Sequence, residues 1–332
     1  MTSRAILFLQ LGGPENLEEV PRFLYRLFSD PDVIRVRPGF LRKTIAAAIA
    51  IGRKKASREL YRSIGGGSPI RRLTEDQARG VERLLAARGR TASVRAAMTC
   101  SDPIVEDVVR DLARSGVSRF LAIPLYPQYS LTTTKGALER TRAAVRKFAP
   151  DATLAESGSW PTHPLFVQAH ANLIRAEIAR FPDPRPEAVH LLFSAHSIPK
   201  KLVTRAGDPY EKEIEASVGA IDRALGGRSP KTLAYQSKLG PVEWLGPQTL
   251  DVLEELGRAG ARQVLVIPIA FVTDHVETLY EVDQLFRGAA ERAGIAHFRR
   301  TPGLNDDPTF LAALEDLVLG QREFWSDAAG TR

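Results

Sequence analysis

The segment Val189–Pro199, with the sequence V-H-L-L-F-S-A-H-S-I-P, joins an apolar run to a polar end that can take part in chemistry. The run is typical of a strand buried on both faces, and it ends at Ser194, His196 and Ser197. Ligands of open α/β sheets bind at the carboxyl ends of strands, which is where His196 would lie. An imidazole there can accept a proton or bind a metal ion. The alternative is an ordinary loop histidine held by hydrogen bonds.

Three carboxylates follow a second apolar run, Val264–Phe271. If a helix starts after it, Asp274, Glu277 and Glu281 stand at i, i+3 and i+7 and share one face, where they repel each other unless cations or protons intervene. With His196 they suit two chemistries. One is a site for a divalent cation such as iron, zinc or manganese, and the other is proton abstraction, with the histidine as base. A solvated acidic face at a helix N-terminus is the third interpretation.

Two similar halves of the chain supply these strands. Gly116–Leu125 and Gly260–Ile269 share their glycine and a Leu-x-Ile-Pro pattern at the same offsets. We predict an α/β fold of two similar domains, each a four-stranded parallel sheet flanked by helices, with the active site in the cleft between them. A helix is expected over Glu277–Ala293. The predicted strands are 4–11, 92–98, 119–125 and 151–156, then the run before His196, 231–235, 263–269 and 297–300.

The expected division of the chain has three parts. They are an N-terminal α/β domain with an active-site lip (1–160), a C-terminal α/β domain (161–305), and a C-terminal helix and tail (306–332). This follows from the length of 332 residues, which suits two domains better than one.

The positive charge of the chain is concentrated in one segment. Between Arg35 and Arg72 there are eleven Lys or Arg residues and one acid, Glu59, whereas the remainder holds 35 basic and 38 acidic residues. A nucleic-acid-binding protein would carry a broader basic face, so we expect no nucleic-acid partner. The segment instead favours a local anionic partner, which could be carboxylates, phosphates or a lipid surface.

Residues 38–55 within this segment predict a basic amphipathic helix. Phe40, Leu41, Ile45 and Ile49 recur at helical intervals, and basic residues flank them. Such a helix can lie on a membrane surface or form a lid, and the alternative is an ordinary surface helix.

Composition limits the compartment and the cofactors. The single cysteine, Cys100, excludes an internal disulfide and any cluster held by four cysteines of one chain. The sequence contains neither a secretory signal nor a run of about 18 apolar residues that could span a bilayer. We expect a cytoplasmic protein with a membrane contact limited to its surface.

Several segments together resemble the ferrochelatase family, in order and over nearly the whole chain. The family inserts Fe²⁺ into protoporphyrin IX to give protohaem, the last step of haem biosynthesis, and releases two protons. The resemblance therefore implies those two substrates and no resident cofactor. The matching segments are Y-R-S-I-G-G-G-S-P-I at 61–70, Y-P-Q-Y-S at 126–130, W-P-T-H at 160–163, L-F-S-A-H-S-I-P at 192–199, G-D-P-Y at 207–210, Q-S-K-L-G-P-V-E-W-L-G-P-Q-T at 236–249 and P-I-A-F-V-T-D-H-V-E-T-L-Y-E at 268–281.

The resemblance also implies roles for individual residues. His196 and Glu277 match the catalytic pair and are also the expected metal ligands, and whether the histidine takes protons, binds iron or does both stays open. The proton and metal path would comprise Asp274, His275 and Glu281. Positions that hold the porphyrin propionates are matched by Arg53, Tyr61 and Ser68, and apolar positions around the macrocycle by Leu11, Ile34 and Trp244.

The chain departs from some members of the family. It lacks the cysteines of the [2Fe–2S] cluster found in animal enzymes, and only a short tail follows the last predicted helix, so we expect a monomer. The alternatives are a coproporphyrin ferrochelatase, another tetrapyrrole chelatase such as a cobalt enzyme, and a tetrapyrrole carrier without catalysis.

Overall fold

A computed structural model of the chain describes residues 3–31, 33, 34, 36, 38–238, 240 and 242–326. These residues form two compact units. The first comprises Met1–Tyr126, Leu131–Ser159 and Leu311–Arg332, and the second comprises Pro127–Ser130 and Trp160–Phe310. The described residues of the expected C-terminal part, 306–326, are therefore divided between the two units.

The first unit contains a four-stranded parallel sheet in the order β2-β1-β3-β4. The central strand β1 is fully buried from Ala5 onward, which is why its sequence is continuously apolar instead of alternating. The bounds are β1 Ser3–Gln10, α1 Val20–Ser29, α2 Gly39–Ser63, α3 Ile70–Ala87, β2 Ser93–Met98, α4 Val105–Arg114, β3 Val117–Pro124, α5 Thr134–Phe148 and β4 Thr153–Glu156, with α11 Pro308–Leu319 beginning in the second unit and α12 Arg322–Trp325 at the end of the chain.

The second unit repeats this arrangement with the order β6-β5-β7-β8, again all parallel. Phe193 of β5 pairs with Leu233 of β6 and Ile267 of β7, and the side chains of β5 and β7 are almost entirely buried. The bounds are α6 Pro164–Ile178, β5 His190–His196, α7 Lys200–Ala206, α8 Tyr210–Leu225, β6 Lys231–Gln236, α9 Thr249–Arg258, β7 Gln263–Pro268, a π-helix Glu277–Phe286, α10 Arg287–Arg292 and β8 His297–Arg300. The predicted fold of two four-stranded parallel sheets with flanking helices is confirmed.

The segment Glu277–Ala293, expected as one helix, forms two helices of different type. Its first ten residues are a π-helix and only Arg287–Arg292 is α-helical. A π-helix bonds each residue to the fifth one along, so its turn is wider than that of an α-helix. The i, i+3, i+7 face expected for Asp274, Glu277 and Glu281 is therefore absent, and Asp274 precedes the helix.

Helix α2 covers the basic segment and is mostly exposed. It is 25 residues long, yet its buried residues are Ala46, Ala50 and Tyr61. Phe40 and Ile51 are 72% and 76% exposed. None of the described helices is long and apolar enough to cross a bilayer.

Candidate active site

His196 is the last residue of β5, and its backbone is held by β6 on one side and by Tyr210 of α8. It lies opposite Gln236 of β6, and its carbonyl accepts a hydrogen bond from the Tyr210 hydroxyl at 2.9 Å. The imidazole side chain is 38% exposed. The end of β5 therefore places the ring at the carboxyl edge of the sheet while leaving part of it accessible.

Glu277 begins the π-helix and faces His196. Its Oε2 lies 2.8 Å from His196 Nδ1, while its Oε1 lies 4.0 Å from His275 Nε2. The His275 ring packs edge-on against Phe271 and places its Nδ1 3.0 Å from the Thr273 carbonyl. Because a carbonyl only accepts, that nitrogen carries the hydrogen of His275.

A hydroxyl that we did not assign from the sequence lies behind this pair. Ser237 Oγ is 3.1 Å from Glu277 Oε2 and 2.7 Å from Glu281 Oε2. Gln236, which ends β6, places its Nε2 3.4 Å from the same oxygen of Glu281. The signal that could have identified Ser237 is its place directly after a strand that pairs with β5, since polar residues at neighbouring strand ends converge.

Electrostatics favour an ion pair between His196 and Glu277. Burial disfavours the charged imidazole, but the charge and hydrogen bond of Glu277 outweigh it, with the charge of Glu281, and raise the pKa of His196. Burial also opposes ionisation of Glu277, yet the charge and hydrogen bond of His196 lower the pKa of that carboxyl. Burial, and then the charge of Glu277, raise the pKa of Glu281 to about 7. Glu281 is therefore more basic than Glu277, although Ser237 contacts both carboxyl groups.

Asp274 does not join this group. Its Oδ1 accepts hydrogen bonds from Arg300 and Thr278, and its Oδ2 accepts from the Gly303 amide and the Asn305 side chain. Burial would raise the pKa of Asp274, but Arg300 and these hydrogen bonds lower it. Arg300 is therefore the cation that neutralises this carboxylate. Of the three carboxylates expected to lie together, only Glu277 and Glu281 do so.

No metal-binding group of three or more His, Cys, Asp or Glu side chains occurs in the described part of the chain. Of the two chemistries considered for the acidic segment, the geometry brings together one imidazole and one carboxylate in direct contact, with a second carboxylate joined through Ser237. This arrangement suits transfer of protons.

The residues matched to porphyrin binding are distributed over both units. In the first unit Arg53 is exposed and lies over the Phe28 ring, and Tyr61 is buried with its ring edge-on to Phe23. Leu11 and Ile34 are half-buried. In the second unit Trp244 is half-buried, and its backbone forms an isolated antiparallel β-bridge with Pro199. The buried Nε1 of Trp244 has no hydrogen-bond partner among the described residues.

Ser68 is held where two glycine-rich turns meet within the first unit. Its amide donates to the Pro14 carbonyl at 2.7 Å, and a Cβ on Gly13 would lie 2.7 Å from that of Ser68. A Cβ on Gly67 would lie 2.0 Å from the Glu15 carbonyl oxygen. Glycine is therefore required at both positions for the turns to approach each other.

Comparison with known proteins identifies the family. A sequence model of the ferrochelatase family matches residues 3–322. The ferrochelatase of Synechococcus sp. (strain RCC307) is 45% identical over 321 residues, which are 96% of this chain and 82% of that protein. The chain belongs to the ferrochelatase family. A ferrochelatase from Synechococcus sp. (strain JA-2-3B'a(2-13)) is 46% identical over 323 residues, covering 96% of this chain and 92% of the relative.

Solved structures extend the likeness at the level of fold. SirB from Bacillus subtilis with Fe³⁺ superposes with a TM-score of 0.56 at 13% identity, over 99% of this chain and 98% of that one. The sirohydrochlorin chelatase SirB from Bacillus subtilis subspecies spizizenii in complex with cobalt gives 0.52 at 11% identity, over 97% and 95%. Like this ferrochelatase-family chain, these proteins have the chelatase fold.

Proposed function

We propose that this protein is a ferrochelatase that inserts Fe²⁺ into protoporphyrin IX, forming protohaem and releasing two protons. The observation that carries the proposal is the contact between His196 Nδ1 and Glu277 Oε2 at a strand end, in a chain that matches the family over nearly its whole length. Removal of two pyrrole protons requires a base and a route by which protons leave.

His196 is the proposed base. With Glu277 ionised, a neutral His196 carries its hydrogen on Nδ1, which leaves the lone pair of Nε2 to accept a proton. The charge of Glu277 stabilises the imidazolium that forms, in agreement with the raised pKa of His196. If Fe²⁺ as substrate meets the protein before the porphyrin, the same Nε2 and the Glu277 carboxylate are the groups available to it.

Glu281 is the proposed next proton acceptor. Its pKa near 7 lets it take and release protons at neutral pH, and Ser237 links it to Glu277. We place Asp274 outside this route, because Arg300 and its hydrogen bonds lower its pKa and keep it ionised. His275, 4.0 Å from Glu277, is proposed to support the charge of that carboxylate.

The porphyrin carries two propionates on a flat apolar ring. We propose that Arg53, Tyr61 and Ser68 bind the propionates, and that Leu11, Ile34 and Trp244 contact the ring. What supports this is the chemistry of the groups, since a guanidinium and hydroxyls recognise carboxylates, and half-buried apolar side chains recognise a hydrophobic ring.

We also propose peripheral contact with a membrane through residues 38–55. The exposed apolar side chains Phe40, Leu41 and Ile51 accompany exposed Lys43 and Lys54 on the same helix. Exposed apolar groups next to basic ones favour an anionic lipid surface, in which porphyrin also dissolves.

An insertion assay with purified protein tests the proposed function. We expect Fe²⁺ or Zn²⁺ insertion into protoporphyrin IX, with coproporphyrin as the competing substrate. His196→Ala should abolish insertion and Glu277→Gln should lower kcat by at least about 100-fold, since each removes part of the acid–base pair. Circular dichroism and thermal unfolding serve as controls for folding. Wild-type protein that binds porphyrin without inserting metal would instead identify a carrier.

A further inference from the structure

We propose that Ser237 is a positioning residue of the active site, whose hydroxyl fixes the Glu277 carboxylate against His196 and ties Glu281 to the same point. The inference rests on the proposed function and assigns a residue to which the resemblance gave no role. The four side chains come from three elements, β5, the end of β6 and the π-helix.

The contacts single out one oxygen atom. Glu277 Oε2 lies within hydrogen-bond distance of both His196 Nδ1 and Ser237 Oγ, at 2.8 and 3.1 Å. A carboxylate that meets a single donor can rotate and present either oxygen. Because a hydroxyl carries one hydrogen, Ser237 donates it to Glu277 Oε2 and accepts from a protonated Glu281 at 2.7 Å. His196 Nδ1 and Ser237 Oγ, from different strand ends, then both donate to the same oxygen of Glu277, and its other oxygen stays turned toward His275.

The backbone of Ser237 gives a second, independent indication. Its φ is +66°, and Ser237 and Asn305 are the two non-glycine residues with positive φ in the described ranges. Residues in this left-handed region are uncommon and persist where the surroundings hold them, often at functional sites. Asn305 likewise bonds the acidic segment, through both the amide and the carboxylate of Asp274.

Glycine would adopt this backbone conformation more easily than serine. The side chain therefore has to contribute something that glycine lacks, and the hydroxyl is the group that makes contacts here. The neighbouring Gln236 is fixed in turn, because its Oε1 accepts a hydrogen bond from the buried Ser194 hydroxyl at 2.7 Å and Ser194 contacts Thr249. Ser237 thus projects from an anchored strand end.

Three substitutions separate the hydroxyl from the backbone. Ser237→Gly relieves the left-handed conformation but removes the hydroxyl, so we expect an unchanged or higher melting temperature and a kcat lowered by at least about tenfold. Ser237→Ala should lower kcat by the same factor as the glycine variant, and it should also lower the melting temperature. Ser237→Thr keeps the hydroxyl on a β-branched residue that disfavours positive φ, so it should be less stable yet retain kcat within about twofold. KM for protoporphyrin should stay unchanged in all three.

A spectroscopic measurement decides the inference without turnover. In protein labelled with ¹⁵N-histidine, loss of the Ser237 hydroxyl in the glycine variant should shift the His196 Nδ1 resonance, while that of the buried His170 should not move. A glycine variant with wild-type kcat and an unshifted His196 resonance would overturn the role of Ser237. Wild-type protein that fails to insert metal would overturn the proposed function instead, and the resonance comparison would still decide the contact.

Discussion

The pairing of His196 with Glu277 joins residues 81 positions apart in the chain. Both partners have pKa values displaced in the direction that favours their charged forms, upward for the imidazole and downward for the carboxyl. A base of this kind is stronger than free histidine, which helps it to remove a proton from a weakly acidic pyrrole. The same displacement means that His196 becomes neutral, and able to accept a proton, only at a pH above its ordinary range.

Glu281→Gln should therefore extend activity toward lower pH. The charge of Glu281 contributes to the raised pKa of His196, so its removal lowers that pKa and lets the histidine become neutral at lower pH. We expect the acidic limb of the kcat/KM profile for Zn²⁺ insertion to move downward in pH, together with a lower maximum because the proposed proton acceptor is lost. Glu291→Gln, an exposed residue of α10, is the matched control and should leave the limb in place. A limb that moves upward would contradict the assigned coupling.

At this scale the sequence predicted part of the site. The strand-end position of His196 and the residue types of Glu277 and Glu281 were sufficient to expect them in one cluster, and the structure brings their side chains together. The contact of Asp274 with Arg300 could not be predicted, because Arg300 comes 26 residues later and no local pattern relates the two. Ser237 was not predicted, because its position depends on a left-handed backbone conformation that cannot be inferred from a serine in the sequence.

The π-helix is the element on which the acidic residues depend. The helix begins at Glu277. Arg300 of β8 forms ion pairs with Asp274, which precedes the helix, at 2.7 Å and with Asp283, which lies within it, at 2.8 Å. Arg300 and Asp274 are 9% and 15% exposed, so the ion pair between them is shielded from solvent. The edge strand β8 thereby sets the position of the helix that carries the glutamates.

Arg300→Met should destabilise the protein by about 3 kcal/mol, since removal of one partner leaves the largely buried Asp274 and the partly exposed Asp283 without a cation. Urea unfolding measures this change. Arg292→Met, an exposed residue of α10, should have an effect below about 0.5 kcal/mol and serves as the control. Equal effects of the two substitutions would show that Arg300 does not anchor the helix.

The central strands β1, β3, β5 and β7 were predictable because predominantly apolar runs next to glycine and proline leave few other interpretations. The π-helix over Glu277–Phe286, where we expected an α-helix, could not be predicted from the sequence. Both helix types place apolar residues such as Val282 and Phe286 on a buried side, so the sequence pattern does not distinguish them. The helix is contacted by Gln236 and Ser237 at the end of β6 and by Arg300 of β8, which are distant in sequence and which no local pattern relates to it.

For the molecule as a whole, helix α2 determines the proposed contact with lipid. Replacing Phe40, Leu41 and Ile51 with serine should reduce flotation with vesicles that contain phosphatidylglycerol, because it removes the exposed apolar groups of the segment. Leu285→Ser, which also replaces an exposed apolar residue, is the control and should bind vesicles as wild type does. Equal flotation of the triple variant and wild type would remove the proposed membrane role.

The first unit is built from three separate stretches of chain. Leu311 packs so closely against helix α3 that a Cβ on Gly80 would lie 2.6 Å from it, and Glu315 pairs with Arg88 at 2.6 Å. On the ribosome these residues emerge after the whole of the second unit. The unit whose synthesis begins first is therefore completed last, and until then it must keep an unfilled apolar surface from aggregating.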